Sequence, residues 1–187
     1  ATGFTGRQVN ALVVDPLDVN KVYAGTPDSL FKTTNGGTAW SFAGLDSVLI
    51  TSLAIQPQTS DTVYVGTDGD GLYRTLDDGT VWTQINGGLS MRVSALAVHP
   101  TQTDTVYAGT FDSSVLRSVD VGANWSPSNN GLTASNITSL TISLADPNIL
   151  YAGTSTGQIF KSADNAGIWL DVTRNLSSGG AVSAVVV

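Results

Sequence analysis

Aspartate is the residue type in this sequence that is best suited to acid–base chemistry. All 15 acidic residues are Asp, and neither Glu nor Cys occurs. Two carboxylates that face each other across a cleft can hydrolyse a glycosidic bond, one as acid and the other as base. Most of these Asp residues, however, stand beside Gly, Pro, Ser or Thr, where Asp is favoured because its side chain bonds to the backbone of a turn. Turns are therefore their first interpretation, and a catalytic pair is the alternative.

Metal chemistry has little support in the residue types present. The single His99 precedes Pro100 in a turn, and no second His and no Cys could join it as a ligand. The run from Asp68 to Gly71 (Asp-Gly-Asp-Gly) looks like the start of a calcium loop, but it lacks the distal Glu of such loops. We expect no metal and no cofactor.

A sequence repeat accounts for the positions of many of these residues. Val-Tyr-Ala-Gly-Thr at 22–26 recurs unchanged at 106–110 and with one replacement each at 63–67 and 150–154. A second motif, Ser/Thr-x-Asp/Asn followed five positions later by Trp, spans 33–40, 75–82, 118–125 and 162–169 and is called here the hairpin motif. Its copies begin 42, 43 and 44 residues apart. Two motifs that recur together at one spacing indicate tandem structural units.

Each unit contains four short runs of strand-forming residues, called A to D, of which B carries the Tyr and D begins at the Trp. The runs are too short for helices and are rich in β-branched residues and Gly. The sequence therefore predicts an all-β fold, a β-propeller of four-stranded antiparallel blades. Four full blades are expected, flanked by partial repeats. The predicted repeats are 9–49, 50–92, 93–136 and 137–181, with 182–187 as the first strand of a further repeat.

The hairpin motif has a physical reason for each residue type. The Ser/Thr hydroxyl and the Asp/Asn oxygen can accept hydrogen bonds from backbone N–H groups in the turn between C and D. Gly allows a positive φ, and Trp offers a large apolar face for packing between blades. Asn35 keeps the accepting oxygen without the charge. Ala166 replaces the Gly of the other copies, and we expect an altered turn there.

The motif resembles the Asp-box of the bacterial neuraminidase-type repeat, found in sialidases, sortilin-type receptors, xyloglucan-cleaving glycoside hydrolases and the photosystem II stability factor. The tandem arrangement is most similar to the last two groups, and the resemblance covers residues 9 to 187. It implies a propeller scaffold, on which these families carry unrelated functions. A sialidase would need an arginine cluster, a Tyr and a Glu, but there is no Glu. A xyloglucanase-like site would need two opposed Asp residues, and the long insertions that build its sugar cleft are missing.

A binding face is the alternative use of the residues outside the repeat pattern. The B–C and D–A connections of a propeller share one side, and they differ between the copies. They carry the predicted partner-binding residues Asp28, Asp68, Asp70, Arg92, Phe111 and Asp112. The resulting interpretation is an acidic recognition face with Arg92 as an isolated basic contact.

The composition limits the classes of binding partner that are expected. The net charge is −7, and the basic residues are scattered, whereas nucleic-acid binding needs a basic patch. No apolar stretch is long enough for membrane insertion. We expect a protein or polysaccharide ligand. Low Lys, abundant Ser, Thr and Asn and the lack of Cys favour the outside or the envelope of a bacterial cell.

The two ends of the chain continue the repeat pattern. Residues 181–187 (AVSAVVV) match strand A at 93–98, and Gly3 to Gly6 resemble the tail of a preceding repeat. We therefore expect either a segment of a longer protein or self-association through open blade edges, rather than a closed ring of four. The leading interpretation is a non-catalytic protein- or glycan-interaction scaffold. The alternative is a fragment of a secreted glycoside hydrolase of the xyloglucanase-like Asp-box type.

Overall fold

The computed structural model describes residues 6–89, 92–134, 136–174 and 180–187. Within these ranges there are sixteen β-strands and no helix. No helix that could cross a membrane is found among them. The strands form four antiparallel sheets of four, each in sequence order. The predicted all-β class and the four-stranded blades are therefore confirmed.

The blades are numbered 1 to 4 along the chain, and their strands correspond to the predicted runs A to D. Blade 1 contains β1 (Ala11–Val14), β2 (Val22–Gly25), β3 (Leu30–Thr33) and β4 (Ser41–Gly44). Blade 2 contains β5 (Ile50–Ile55), β6 (Val63–Thr67), β7 (Leu72–Thr75) and β8 (Thr83–Gln84). Blade 3 contains β9 (Val93–Val98), β10 (Val106–Thr110), β11 (Val115–Ser118) and β12 (Ser126–Pro127). Blade 4 contains β13 (Ile137–Ile142), β14 (Leu150–Thr154), β15 (Ile159–Ser162) and β16 (Leu170–Asp171).

The A strands of neighbouring blades lie side by side, β1 against β5, β5 against β9 and β9 against β13. A polar side chain near the start of each A strand donates a hydrogen bond to the first residue of the next one. The Asn10 Nδ2 to Ile50 O distance is 3.0 Å, and Thr51 and Ser94 make the same bond to Val93 O and Ile137 O. The innermost strands are thus joined by an identical contact at each junction between described blades.

The Gly of the Tyr-Ala-Gly-Thr run is required by this close approach. A Cβ on Gly25 would lie 2.3 Å from Ile50 Cγ2, and one on Gly109 would lie 2.5 Å from Ile137 Cγ2. A larger side chain in strand B would therefore push the next blade away. The repeat of Gly in the sequence marks where one sheet meets its neighbour.

The hydrophobic core is divided among the junctions between blades. One cluster of buried residues joins blades 1 and 2 and includes Tyr23, Leu30 and Ile50. A second joins blades 2 and 3 around Tyr64, Leu116 and Trp125, and a third joins blades 3 and 4 around Tyr107, Phe160 and Trp169. Each blade is stabilised mainly by its neighbours, as expected of a repeat architecture.

The four hairpin motifs share one hydrogen-bond pattern. In blade 2 the Thr75 hydroxyl donates to Asp77 Oδ1 at 2.6 Å, and Gly79 N and Val81 N donate to Thr75 Oγ1 and Asp77 Oδ1 at 3.0 and 2.9 Å. Asn35 makes the equivalent contacts in blade 1, with distances of 2.9 Å to both Thr33 Oγ1 and Ala39 N. The side-chain oxygen therefore matters to the turn more than the charge.

The expectation of an altered turn at Ala166 was wrong. Ala166 N donates to Ser162 Oγ at 3.0 Å and Ile168 N donates to Asp164 Oδ1 at 2.9 Å, as in the other copies. Ala166 adopts φ +65°, the left-handed conformation that Gly provides elsewhere. Ala166 is fully buried in the apolar cluster between blades 3 and 4, although a residue with a Cβ seldom adopts this backbone conformation.

The Trp of the second, third and fourth motifs packs towards the preceding blade. The indole N–H groups of Trp82, Trp125 and Trp169 donate to Ala43 O, Ile85 O and Ser128 O at 2.8, 3.1 and 2.8 Å. These carbonyls belong to strand D or to the residue after it. The predicted role of Trp as an inter-blade contact is confirmed at these three junctions.

The segment at the end of the chain occupies the place that an A strand occupies elsewhere. Val182 N donates to Thr154 O at 3.0 Å, as Ile50 N does to Thr26 O, and Thr138 Oγ1 donates to Val182 O at 2.6 Å. Residues 181–187 form no strand ladder. The tail predicted at Gly3 to Gly6 falls, apart from Gly6, outside the described residues.

Candidate binding face and blade junctions

Backbone hydrogen bonds assign the turns to two sides of the molecule. Asp78 N donates to Asp61 O at 3.0 Å, which ties the hairpin motif of blade 2 to its A–B turn. On the other side, Asp68 N donates to Leu49 O at 3.0 Å, which ties a B–C turn to the preceding D–A connection. The second side, formed by the B–C turns and D–A connections, is called the connection face. The six residues predicted for partner binding all belong to its segments.

Asp68, Arg92 and Phe111 come together on the connection face between blades 2 and 3. Arg92 Nε lies 2.6 Å from Asp68 Oδ1, and the guanidinium carbon lies 4.4 Å from the centroid of the Phe111 ring. Phe111 N also donates to Arg92 O at 3.2 Å. The D–A connection that ends at Arg92 thus fixes the charged groups of two blades in one cluster.

Arg92 is therefore not the isolated basic contact that the sequence suggested. Its pKa is raised because it is hydrogen-bonded to Asp68, whose negative charge and that of Asp112 favour the charged form. The guanidinium is held on one side by the Phe111 ring and on another by a carboxylate. Sequence could not reveal this pair, since 24 residues separate its members.

Asp28 lies in a separate pair at the outer end of the array. Arg7 Nη1 contacts both carboxylate oxygens of Asp28 at 2.8 Å, and the Thr26 hydroxyl donates to Asp28 Oδ1 at 2.7 Å. The Thr26 hydrogen bond is the largest cause that holds the pKa of Asp28 below its usual value, and the Arg7 bond and charge add to it. Arg7 also lies over the Phe31 ring at 5.0 Å.

Asp70 and Asp112 are joined to the face by other contacts. The backbone carbonyl of Asp70 accepts hydrogen bonds from Gln84 Nε2 at 2.6 Å and Asn86 Nδ2 at 3.1 Å. Asp112 accepts one from Ser113 Oγ at 3.3 Å. The structure thus groups Asp68, Arg92, Phe111 and Asp112, whereas Asp28 is held in a different ion pair.

Two shallow polar depressions of about 230 Å³ each lie on the same face, and they share residues 133 and 134. One runs from Asp112 past Asn129 to Ala134, and the other from Thr133 past Asn136 to Gln158. Hydroxyl and amide groups dominate both linings. Sequence reasoning missed this pair of depressions, because their walls come from the D–A connection and from two different B–C turns.

A charged network lies on the opposite side, at the junction of blades 1 and 2. Lys21 Nζ lies 2.8 Å from Asp15 Oδ2 and 2.9 Å from Asp78 Oδ1, and Lys32 Nζ pairs with the other oxygen of Asp78. The Tyr23 hydroxyl donates to Asp78 Oδ1 at 2.9 Å. The Asp15 side chain is fully buried, and that of Lys21 is 10% exposed.

Mutual bonding keeps these groups charged. Burial opposes ionisation of Asp78, but hydrogen bonds from Lys32, Lys21 and Tyr23 outweigh it, so the pKa of Asp78 is lowered. Burial also opposes ionisation of Asp15, but hydrogen bonds from Lys21 and Ser60 outweigh it, so the pKa of Asp15 is lowered. Burial also opposes the charge of Lys21, but its bonds to Asp15 and Asp78 raise its pKa.

The junction of blades 2 and 3 keeps a cation, Arg74, at the position of Lys32 but has uncharged residues, Gln56 and Thr62, at those of Asp15 and Lys21. Val121 replaces Asp78, and its carbonyl accepts a hydrogen bond from Arg74 at 2.6 Å. The Tyr64 hydroxyl, equivalent to that of Tyr23, is buried without a hydrogen-bond partner among the described residues. Burial raises the pKa of Tyr64 to about 12. One repeat therefore supports a junction with a charged network and another, called here the apolar junction, in which Val121 packs against a buried apolar cluster.

Metal binding has no structural support in the described ranges. They contain no group of three His, Cys, Asp or Glu side chains that could hold an ion. His99 is buried, and its Nδ1 accepts hydrogen bonds from Thr101 N and Gln102 N at 3.2 and 3.0 Å. The ring thus serves its own A–B turn, and burial lowers its pKa.

Comparison with known proteins identifies the fold. No family model and no curated protein matches the chain. Among solved structures, it is similar to the GH74 xyloglucanase from Xanthomonas campestris, with a TM-score of 0.75 and 18% identity over 93% of this chain. It also resembles YCF48 from Cyanidioschyzon merolae, with a TM-score of 0.65 and 16% identity over 91% of this chain.

A third similar structure is the extracellular domain of a protein described as a hybrid two-component system from B. thetaiotaomicron, with a TM-score of 0.69 and 18% identity over 94% of this chain. The chain spans 31% of the xyloglucanase, 57% of YCF48 and 22% of the chain with the extracellular domain. At such identities the likeness concerns the fold alone. Together with the four sheets, it shows that this chain is built of β-propeller blades.

Proposed function

We propose that this chain is a non-catalytic interaction scaffold that binds a protein or polysaccharide ligand on its connection face. The proposal is carried by the way this face uses its carboxylates. Asp28 and Asp68 are each engaged by an arginine at 2.8 and 2.6 Å. A glycosidase pair needs one carboxyl group with a raised pKa, and the pKa of Asp28 is displaced in the opposite direction.

The repeat itself supports the same proposal. We infer that the hairpin motif is an Asp-box, because the four copies use one set of hydrogen bonds and place Trp between blades. Asp77, Asp120 and Asp164 thereby serve turns, and their pKa values are lowered by hydrogen bonds within their own hairpins. Much of the acidic and aromatic content is committed to structure and is not available for catalysis.

The place of action and the wider assembly are part of the proposal. An extracellular or cell-envelope location agrees with the presence of an extracellular domain among the similar structures. The repeats are proposed to run 9–49, 50–92, 93–136 and 137–181, with 182–187 beginning another. The contacts of Val182 with Thr154 and Thr138 support that last boundary. Self-association through open blade edges is proposed as a second mode of interaction.

The alternative is a fragment of a secreted glycoside hydrolase of the xyloglucanase type. The fold similarity to a GH74 xyloglucanase favours it, although this chain spans 31% of that enzyme. In this alternative a catalytic pair would include an Asp of the connection face. Asp68 and Asp112 are the first to examine, because the charges of both raise the pKa of the same arginine.

Binding and hydrolysis on the same samples separate the two candidates. We expect the chain to bind immobilised ligands on a glycan array or a panel of extracellular proteins, without releasing reducing ends from xyloglucan or other β-glucans. The charge-swap variant Asp68→Arg/Arg92→Asp keeps the ion pair but exchanges its charges, so it should fold and lose binding. Asp61→Arg, on the opposite side, is the matched control and should keep binding. Hydrolysis that a single Asp68→Asn or Asp112→Asn change abolishes would overturn the scaffold proposal, and unchanged binding by the swap variant would remove the connection face from it.

A further inference from the structure

The sequence contains three Asn–Gly steps, at 35–36, 86–87 and 130–131. Such a step is chemically labile, because the backbone nitrogen of the following residue can attack the Asn side-chain carbonyl carbon. Gly lacks the Cβ that would hinder this approach and has the backbone freedom it requires. Whether the reaction proceeds in a folded protein depends on whether the two groups are held apart.

Two of the three steps are held by hydrogen bonds. Asn35 Oδ1 accepts from Thr33 Oγ1 and Ala39 N, both at 2.9 Å, and Gly36 N donates to Asn20 O at 3.0 Å. Both the attacked group and the attacking nitrogen are therefore occupied in the hairpin motif of blade 1. To react, this turn would have to open.

The second step is held through its side chain. Asn86 Oδ1 accepts from Leu72 N at 2.8 Å, and Asn86 Nδ2 donates to Asp70 O at 3.1 Å. The amide is thereby fixed across the sheet of blade 2, in a partly buried position. Its rotation towards Gly87 N would break both bonds.

The third step is different. Asn130 and Gly131 are both exposed, and the Asn130 side chain has no hydrogen-bond partner in the part of the chain that the structure describes. The backbone around it is ordered by other contacts, since Asn130 O accepts from Trp169 N at 2.8 Å. Leu132 N donates to Asn129 O at 2.9 Å, and no such bond engages Gly131 N within the described ranges. The Asn130 amide is therefore exposed, and Gly131 N lacks, within the described ranges, a hydrogen bond like the one that engages Gly36 N.

We propose that Asn130 is a site of spontaneous deamidation and that the fold protects Asn35 and Asn86 from the same reaction. Gly131 N loses its proton and forms a bond to Asn130 Cγ, and the side-chain amide leaves as ammonia. Water then opens the resulting succinimide at one of its two carbonyls. The products are aspartate, with the original backbone, or isoaspartate, in which the chain continues through the side-chain carbon.

Both products change the connection face. Aspartate adds a negative charge next to Asn129 and Leu132, which line the polar depression that also contains Asp112. Isoaspartate also displaces the carbonyl that accepts the hydrogen bond of Trp169 N, at the junction of blades 3 and 4. The modification would thus alter charge at a candidate binding surface and loosen the junction below it. This inference does not depend on the proposed function.

Peptide mapping by mass spectrometry tests the proposal on the intact chain. The native protein is incubated in mildly alkaline buffer, and the conversion of each Asn is followed with time. We expect Asn130 to react at least about ten-fold faster than Asn35 or Asn86, a ratio that corresponds to a barrier difference of about 1.4 kcal/mol. Equal native rates at the three sites, or a faster reaction at Asn35 or Asn86, would overturn it.

The same experiment in denaturant provides the control for local sequence. All three steps share Gly as the following residue, so unfolding should bring their rates close together. If Asn130 still reacted ten-fold faster in denaturant, the preference would come from the local sequence. That result would also overturn the protective role proposed for the fold. The variant Asn130→Gln keeps an amide but must close a larger ring, and it should abolish the native reaction at this position. Asn130→Asp, measured when freshly prepared and before its own slower succinimide formation, supplies the charge of the product without the isoaspartate backbone, so a junction loosened in aged wild type should be intact in this variant.

Discussion

The junction between blades 1 and 2 and the junction between blades 2 and 3 have the same backbone contacts but different chemistry. The first buries a network of two lysines and two aspartates, closed by the Tyr23 hydroxyl. The second has Val121 in place of Asp78, packed against an apolar cluster that includes Ile85 and Trp125. The inner-strand hydrogen bonds and the Trp contacts are retained in both. The repeat therefore specifies how blades meet, while the side chains that fill the space between them can vary.

The difference also shows how a repeat accommodates charge. A buried ion pair gains little over well-packed apolar groups, but removing one of its members is costly. The first junction is thus expected to be sensitive to single charge changes. The second should respond to loss of volume. The following predictions use matched positions in the two junctions to test this contrast.

The largest effect is expected for Trp125→Ala. Trp125 is 6% exposed and belongs to the cluster of the apolar junction, so its truncation should cost about 4 kcal/mol in the free energy of unfolding. Trp82→Ala should cost about half as much, because Trp82 is only partly buried and its junction keeps the ion network. Denaturant unfolding curves of the two variants measure this directly. Equal losses would mean that the two junctions do not differ in their dependence on apolar packing.

At the fourth position of the hairpin motif, the charged junction is expected to lose more stability than the apolar one. Asp78→Asn leaves Lys21 and Lys32 without their shared carboxylate and should cost about 2 kcal/mol, less than for a fully buried pair because the Asp78 side chain is 37% exposed. Val121→Asn places the same residue in the apolar junction. Val121 has φ +60°, which Asn tolerates better than a β-branched residue, so the change should lie within about 0.5 kcal/mol of zero. The unfolding free energies of the pair provide the test, and a larger loss for Val121→Asn would refute the contrast.

Removal of the hydroxyl group from the equivalent tyrosines, Tyr23 and Tyr64, should change stability by smaller amounts that differ between the two junctions. Tyr23→Phe removes a hydrogen bond of 2.9 Å to the Asp78 carboxylate and should cost about 1.5 kcal/mol. Tyr64→Phe removes a buried hydroxyl that has no partner in the described ranges, so it should be neutral or slightly stabilising. Thermal melts of the two variants compare them at constant size. A destabilised Tyr64→Phe would imply a bonded partner for this hydroxyl.

The repeat made the fold predictable, and the junction chemistry was hidden by the same regularity. Four copies of one motif gave the strands, the turns and the position of Trp, because each depends on residues close together in sequence. The pairing of Arg92 with Asp68 depends on a connection returning beside a turn 24 residues earlier. A signal for the charged junction was present, since Asp15, Lys21 and Asp78 are charged at positions where the other copies carry no charge, except for the titratable His99. It could not be interpreted without knowing which positions face each other across the blades.

Functional residues were harder to predict for a related reason. The connection face is built from the segments that differ most between copies, so the repeat provides no template for their contacts. Asp28 and Asp68 looked alike as turn aspartates, and the structure places them in separate ion pairs with different arginines. The polar depressions beside residues 133 and 134 involve Thr, Asn, Ser and Gln, which are too common in this sequence to attract notice.

Acid titration of stability tests most directly the claim that the first junction is held by charge. The pKa values of Asp15 and Asp78 are lowered in the folded protein. Their contribution to the free energy of unfolding is therefore complete above about pH 4, the usual pKa for a carboxyl group in the unfolded chain. It is lost as the pH falls through the lower pKa values of the folded protein. Lys21, with a raised pKa, stays charged throughout this range.

The measurement is the free energy of unfolding of the wild type and of Asp78→Asn between about pH 6 and pH 2, across the ordinary carboxyl pKa. The wild type should lose more stability than the variant over this interval, so that the gap between them narrows as the pH falls. The hairpin aspartates titrate in both proteins, and Val121→Asn, as the control, should follow the wild-type curve. A gap between wild type and Asp78→Asn that stays constant down to the lowest pH would contradict the account.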